Sequence, residues 1–470
     1  LKLIGFFTSP SVAARSFAWF VAFLLLTILW IVLLPLLSLD GPFQRLGNIG
    51  MTGTQSVAAI TLVPPLVLSL LGWISVQVLT PPAAPAISPP NSAPVQSAPA
   101  VAATLSAEML RIAAWGTVTP FGDASATVAS SQEQEKIFRP DSAIRNAEGH
   151  PVHAGTVEEL PLEMLNYPAE TRSRAMRVSA MLVPVLNALF NQQVELARSA
   201  ASTTVYWLVP EALPLDNEAR LNFSMAWTHS FWRNVDYDLH LLPAATESAY
   251  GVVNALQQHM SPSKMPFVLL LAADSLVDPD ELLAPLALEQ VFSNKIPNGF
   301  VPAEGAAGLL LVDAAYARAS DLIGLYTLGT VQQGQRATDR GAKGKIDSST
   351  LTTCITEAMA AAHTTADQIG AVISDTDHRL PRSQEVIHAM EQALPELDPL
   401  SGRIAPMTLA GSFGAASDLI HIALAVEMVA ATEQAALAVG VIHARQTAAV
   451  VIMQDTVYKI YYLRSGDSAR

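Results

Sequence analysis

Two long uncharged apolar stretches near the N-terminus constrain this chain more than any other feature. Residues 16–39 run for 24 positions without a charge and are rich in Leu, Val, Ile and Phe. At about 1.5 Å of rise per residue, a helix of that length crosses the ~30 Å hydrocarbon core of a bilayer. A second uncharged run, residues 58–80, holds Val63, Leu66, Val67, Leu68, Leu70, Leu71, Ile74 and Val78. Pro64 and Pro65 bend its start, which a spanning helix tolerates when neighbours satisfy the freed backbone groups. The first run is too long for the apolar core of a signal peptide and lacks the small-residue exit of a cleavage site. A membrane hairpin of two transmembrane helices is expected over residues 1–80. Lys2 and Arg15 precede the first helix, against Arg45 in the connecting loop, so the basic bias places the large domain on the cytoplasmic side.

Residues 81–103 contain seven prolines and no charge. Such a stretch cannot bury a core and favours extended polyproline structure at about 3.1 Å per residue, so it reads as a spacer. The first 103 residues hold three basic groups and one acidic group; the remaining 367 hold 24 and 40. A large domain so acidic is repelled by anionic lipid and lacks the basic footprint of a nucleic-acid partner. Cys354 is the one cysteine, which excludes a disulfide scaffold and Cys-rich metal sites. No cofactor and no metal are expected.

Beyond the spacer, short β-branched runs alternate with longer helical ones. Strands are expected at 110–114, 204–209, 267–272, 307–312, 370–373 and 448–453. Helices are expected at 172–190, 250–260, 349–361, 383–393 and 417–428. Strands separated by amphipathic helices imply an α/β protein with parallel or mixed sheets covered on both faces. The near-continuous apolar runs at 267–272 and 448–453 suit strands buried on both sides.

Several segments fall into a familiar order. RIAAWGTVTPFG (111–122) resembles the opening strand and loop of β-ketoacyl synthases. NGFVPAEGAAGLLLV (298–312) resembles their glycine-flanked loop into a buried strand, and ADQIGAVIS (366–374) the segment before their first catalytic histidine. GSFGAAS (411–417) is similar to the glycine loop that normally carries the second histidine. The resemblance covers about residues 110–455. It implies a thiolase-like five-layer αβαβα fold of two similar halves, an N-terminal one over 104–330 and a C-terminal one over 331–470. It also implies a two-fold homodimer or a ketosynthase-like heterodimer.

On that resemblance the nucleophile position is Ser248, in TESAYG (246–251), where the family has Cys. The first histidine position is Asp375 and the second is Ser412; the family's lysine falls on Pro406 or Met407. Condensation needs a thiolate to accept the acyl group and imidazoles to stabilise the enolate formed on decarboxylation. A serine without an imidazole base is a poor substitute, and Asp375 puts negative charge where negative charge must develop. No catalytic residue is therefore assigned, and His378 is the alternative base for Ser248. Asp375, Asp377 and His378 lack the second ligand cluster that a metal site would need.

Other positions have plainer readings. Cys354 suits a buried structural thiol. Glu247 and Tyr250 either mark a binding pocket or fill the old active-site space. Arg336, Arg340, Lys343 and Lys345 gather in a linker between the halves, and Trp227, Trp232 and Tyr237 are aromatic enough to anchor an interface.

The residues thus imply a fold retained and a chemistry lost: a membrane-anchored, non-catalytic, ketosynthase-like scaffold or adaptor at a bacterial inner membrane. Cell-envelope and secretion assemblies, such as type VI secretion, offer one setting by analogy of fold. Two alternatives stay open. One is an acyl-transfer enzyme using Ser248. The other is a non-catalytic partner subunit of an active ketosynthase in lipid or polyketide assembly, with an acyl carrier protein or another protein as client.

Overall fold

The computed structural model describes residues 109–200, 202–336 and 346–455. The expected membrane hairpin, the proline-rich spacer, and Arg340, Lys343 and Lys345 lie outside the described residues. The first run of elements is β1 (Leu110–Val118), α1 (Ala124–Gln132), β2 (Arg139–Arg145), β3 (Pro151–Ala154), α2 (Arg174–Gln192), α3 (Val194–Ser199), β4 (Ser202–Val209), α4 (Asn217–Thr228), β5 (Asp236–Pro243), α5 (Ala249–His259), β6 (Phe267–Ser275), α6 (Pro279–Ala287) and β7 (Glu304–Val312). After α7 (Ala314–Ala319) come β8 (Tyr326–Leu328), β9 (Gln332–Gln335), α8 (Ser349–Ala361), β10 (Ile369–Ser374), α9 (Leu380–Ala393), β11 (Arg403–Ile404), α10 (Met407–Ala410), α11 (Ser417–Thr432), β12 (Ala435–Gly440) and β13 (Gln446–Gln454).

Local chemistry sets these boundaries. Asp123, Asp216, Ser248, Asp278 and Asp313 each accept a hydrogen bond from a backbone N–H two or three residues ahead, satisfying donors that a helix start leaves open. Every position of β6 and β7 is buried. Alternation then sorts the side chains of β6: Val268, Leu270 and Ala272 enter one core, Leu269, Leu271 and Ala273 another.

The main sheet has 11 strands, in the order β11-β10-β12-β13-β8-β1-β7-β6-β4-β5, with β9 on β13. It contains an internal repeat. In the first half, β4 runs parallel to β5 and β6, while β7 is antiparallel to β6 and to β1. In the second, β10 runs parallel to β11 and β12, while β13 is antiparallel to β12 and to β8. The halves meet where β1 pairs antiparallel with β8, Leu110 opposite Leu328.

Three cores arrange this sheet into layers. Helices α2 and α4 cover the outer face of the first half, with Leu182, Leu186, Phe223 and Trp207. Helices α8 and α9 cover the outer face of the second. The inward faces of both halves share a single core with α5 and α11. The helical run Gly414–Thr432 is the one stretch among the described residues long and apolar enough to cross a membrane, and it lies in this core.

All six expected strands are present, each extended by one to several residues. Trp227 and Trp232 are not interface anchors. Both are buried in the outer core of the first half and donate their indole N–H to the carbonyls of Val235 at 3.0 Å and Leu186 at 2.9 Å, respectively. Aromatic spacing in the sequence cannot separate a core cluster from a surface one.

One ion pair ties the first half together. Glu304, fully buried at the start of β7, accepts from Arg177 Nε at 2.7 Å, from the Val157 amide at 2.7 Å and from Ser275 Oγ at 2.8 Å. Arg177 also donates to the Val157 carbonyl at 2.8 Å. Removing one partner leaves a dehydrated charge, so Arg177→Ala should cost about 3–5 kcal/mol in denaturant unfolding. The double change Arg177→Met with Glu304→Gln should recover part of that loss.

Candidate functional site

Strand β5 ends at Pro243 and a short turn delivers Ser248 to the N-terminus of α5. Its Oγ accepts from the Gly251 amide at 3.0 Å. Beside it lies a cavity of about 10 Å³ bounded by Ser248, Tyr250, Gln333, Gly440, His443 and Thr447. That is room for about one water molecule. Glu247 points to solvent, and Tyr250 points inward.

Tyr250 fills the centre. A Cβ on Gly440 would stand 2.7 Å from its Cε2, so the ring occupies the space that only glycine leaves open. Its hydroxyl, fully buried, has no hydrogen-bond partner among the described residues. Burial first, and then the nearby Asp418 and Asp375, push the phenol well above its ordinary range.

Asp375 follows β10 and is completely buried. One carboxylate oxygen accepts from the Val441 amide and the other from the Ile442 amide, both at 2.7 Å. Burial, reinforced by Asp418, raises this carboxyl to about 7, against the opposing pull of the two amides and Arg382. Asp418, in the first turn of α11, faces His443 Nε2 at 3.3 Å through Oδ2, while Oδ1 has no partner among the described residues. His421, one turn on, is fully buried, contacts the Ser417 carbonyl through Nδ1, and is driven by burial down to about 4, hence neutral.

Ser248 and Asp375 therefore converge on one segment, residues 440–443. Ser412 is engaged elsewhere. Its amide donates to Val301 at 2.8 Å, its carbonyl accepts from Ala303 at 3.1 Å, and its Oγ takes the Gly414 amide at 3.4 Å. Gly414 has φ 55°, and a Cβ there would lie 2.0 Å from Asp274 Oδ2, so this turn requires glycine. Asp274, paired with Arg174 at 2.8 Å, accepts from the Ala415 amide at 2.7 Å and fixes the loop to the end of β6. Of Pro406 and Met407, the two candidates for the lysine position, Met407 is buried in the central core.

The geometry corrects two readings. His378 is not placed to serve Ser248: its ring packs edge-on against Phe292 at 5.0 Å, and Nε2 faces the Pro297 carbonyl at 3.3 Å. Burial lowers this imidazole from its ordinary value. The imidazole beside Ser248 is His443, which no motif in the sequence signals. Arg336 is not part of a solvated basic patch. Its side chain, 8% exposed, pairs with Glu385 at 2.8 Å and donates to the carbonyls of Val441, His443 and Gln446.

The remaining polar candidates are structural. Asp377 is clamped by Arg379 and Arg382; burial opposes its ionisation, but these two cations prevail and hold its carboxyl low. Cys354 is buried, with Sγ 3.6 Å from Thr447 Oγ1, and burial pushes the thiol up.

No protein-family model and no curated protein matches the chain. Solved structures do. One titled the ishigamide ketosynthase/chain length factor aligns over 74% of this chain and 99% of its own, with 16% identity and a TM-score of 0.52. A type II polyketide synthase acyl-carrier protein in complex with its ketosynthase aligns over 73% and 99%, with 12% identity and a TM-score of 0.52. A β-ketoacyl synthase from Burkholderia phymatum STM815 aligns over 74% and 99%, with 14% identity and a TM-score of 0.50. At such identities the likeness is one of fold: the described residues adopt the ketosynthase, thiolase-like fold.

Two outcomes follow from the site. Asp375 binds its proton more tightly folded than unfolded, where the carboxyl sits near about 3.9. Its contribution to stability is complete below that value and is lost as pH rises through about 7. The stability of the wild type relative to Asp375→Asn should therefore fall between pH 4.5 and 7.5, by at most about 1.4 kcal/mol per pH unit; a flat difference would contradict the burial argument. Gly440→Ala should cost about 1–3 kcal/mol by overpacking against Tyr250, and Tyr250→Phe in the same chain should not relieve it.

Proposed function

We propose that this protein is a membrane-tethered, ketosynthase-like subunit that holds partners in place and forms no carbon–carbon bond itself. The observation that carries the reading is the filled centre. Tyr250 closes on Gly440, a cavity of about 10 Å³ lies beside Ser248, and a buried carboxyl, Asp375, stands where the resemblance implies the first imidazole. An acyl chain has no room there, and a decarboxylating enolate would meet negative charge instead of hydrogen-bond donors.

The role is that of a scaffold or adaptor, and the partner that best fits it is an active ketosynthase or an acyl carrier protein. The structural likeness to a ketosynthase/chain length factor and to a ketosynthase complexed with its acyl-carrier protein supports this choice. Residues 16–39 and 58–80 supply the membrane hairpin and 81–103 the spacer, with the large domain in the cytoplasm at a bacterial inner membrane. A cell-envelope or secretion assembly is a second setting for the same scaffold.

One observation favours a second reading. Ser248 and His443 bound the same cavity, and His443 lies 3.3 Å from Asp418, so a serine, an imidazole and a carboxylate are grouped as in acyl-transfer enzymes. The two readings separate in one experiment. The full chain in nanodiscs is incubated with acyl- and malonyl-thioesters, followed by intact mass and carbon dioxide release, and in parallel is tested for capture of an active ketosynthase and its acyl carrier protein. The scaffold reading expects no adduct, no decarboxylation and stable capture. An acyl mass on the Ser248 peptide that Ser248→Ala abolishes would establish the transferase instead.

A further inference from the structure

A cleft of about 1060 Å³ opens in the first half, and none of the residues of the candidate site bounds it. Its apolar lining includes Phe121 and Ile137, both half-buried, with Pro184 and Ala188 one turn apart on the same face of α2. Residues 139–143 of β2 line it as an unbroken run. Neighbouring side chains of a strand leave by opposite faces, so such a run borders a cleft along the strand's edge. β2 pairs with β3 alone, which leaves that edge open over about 16 Å at ~3.3 Å per residue. Pro140 has no N–H and the Ala143 amide is taken by Asp141 Oδ1 at 2.9 Å, so a regular added strand is disfavoured and side chains must carry recognition. The cations of the lining are already neutralised: Arg139 by Glu158, Arg172 by Asp141 at 3.1 Å, and Arg177 by Glu304. Asp123, Glu159 and Glu170, all exposed, border the same cleft with no ion-pair partner among the described residues. Thr117, 4% exposed, also borders it, and its Oγ1 has no hydrogen-bond partner among the described residues.

We propose that this cleft binds an extended segment of a partner protein in which lysine or arginine alternates with apolar residues. The alternation matches the lining. Successive side chains of an extended segment point opposite ways, so the apolar ones turn to Phe121, Ile137 and Pro184 while the cationic ones reach the rim carboxylates. An anionic segment would meet three uncompensated carboxylates and find every arginine of the lining engaged. The Thr117 hydroxyl can donate to or accept from a main-chain group of the occupant. Charge then steers the encounter and selects the sign of the partner, while apolar burial holds it. The inference goes beyond the scaffold reading, which names no contact surface. Capture of an active ketosynthase and binding of a basic segment are separate measurements, and either can fail alone.

The probe is a fluorescein-labelled, alternating lysine–leucine hexapeptide, titrated by anisotropy against the full chain in phosphatidylcholine nanodiscs at 0.15 M salt, with empty nanodiscs as baseline. It should bind with a dissociation constant in the micromolar range. The glutamate–leucine and lysine–serine peptides should each bind at least tenfold more weakly. Glu159→Lys combined with Glu170→Lys should weaken lysine–leucine binding at least tenfold. Glu357→Lys combined with Glu391→Lys, exposed on α8 and α9 of the second half, should change it less than twofold, because salt screens charges beyond about 8 Å. Bound peptide should slow hydrogen exchange in residues 139–143 and leave α8 unchanged. Equal weakening by the two double reversals would overturn the proposal by assigning the binding to the net charge of the domain. Absence of binding, or a lysine–serine or glutamate–leucine peptide that binds as well, would overturn it too. Should the variant at 159 and 170 fail to fold, the three peptides and the exchange pattern decide: binding without protection of residues 139–143 would also overturn it.

Discussion

The inward faces of both halves are covered by the same two helices, α5 and α11, and everything at the centre follows from that sharing. The start of α11 is brought into the dry interior at Asp418, while that of α5 lies at its edge, with Ser248 half-buried. Whatever sits there must find its partners within the protein, because an unpaired polar group costs far more in that setting than at the surface. Asp418 gains from the positive end of α11. Asp375 gains two amides. Tyr250 takes volume in place of water.

This constraint decides the chemistry as much as the packing. Burial, and then the neighbouring Asp418, raise the Asp375 carboxyl to about 7. His421, which could have supplied a proton, is kept neutral by burial. His443 is the one imidazole at the rim, and its side chain is 38% exposed, so it meets solvent on the side away from the core.

Much of the scaffold was legible in the sequence. Continuous apolar runs marked β6 and β13, and the helix at 349–361 matches α8 residue for residue. The strands that escaped detection have physical reasons. β5 is a sheet edge carrying Asp236, Asp238 and His240; β11 has two residues; β8 has three; β12 reads AALAVG, as apt for a helix as for a strand. At the site, aligned positions located Ser248 and Asp375 on a common segment, because strand ends and helix starts are fixed by local rules. His378 failed as a base because the turn after β10 is set by Asp377 with Arg379 and Arg382, a side-chain clamp that spacing alone does not reveal. His443 and Arg336 were invisible as site residues because their roles depend on the loop between β12 and β13, far along the chain from Ser248.

The side chains at the centre form a matched set. Tyr250 fits because residue 440 is glycine, and a methyl group there would stand inside van der Waals contact. Asp375 is tolerated because the segment after β12 presents the Val441 and Ile442 amides to its two oxygens. Arg336 satisfies the Val441 and His443 carbonyls of the same segment. Interiors are packed as densely as molecular crystals, and here the ring of Tyr250 fills the volume and most of the polar groups are paired. Around Asp418 three buried atoms, Tyr250 Oη, Asp418 Oδ1 and His421 Nε2, lack partners among the described residues, so the first turn of α11 is where this centre is least satisfied.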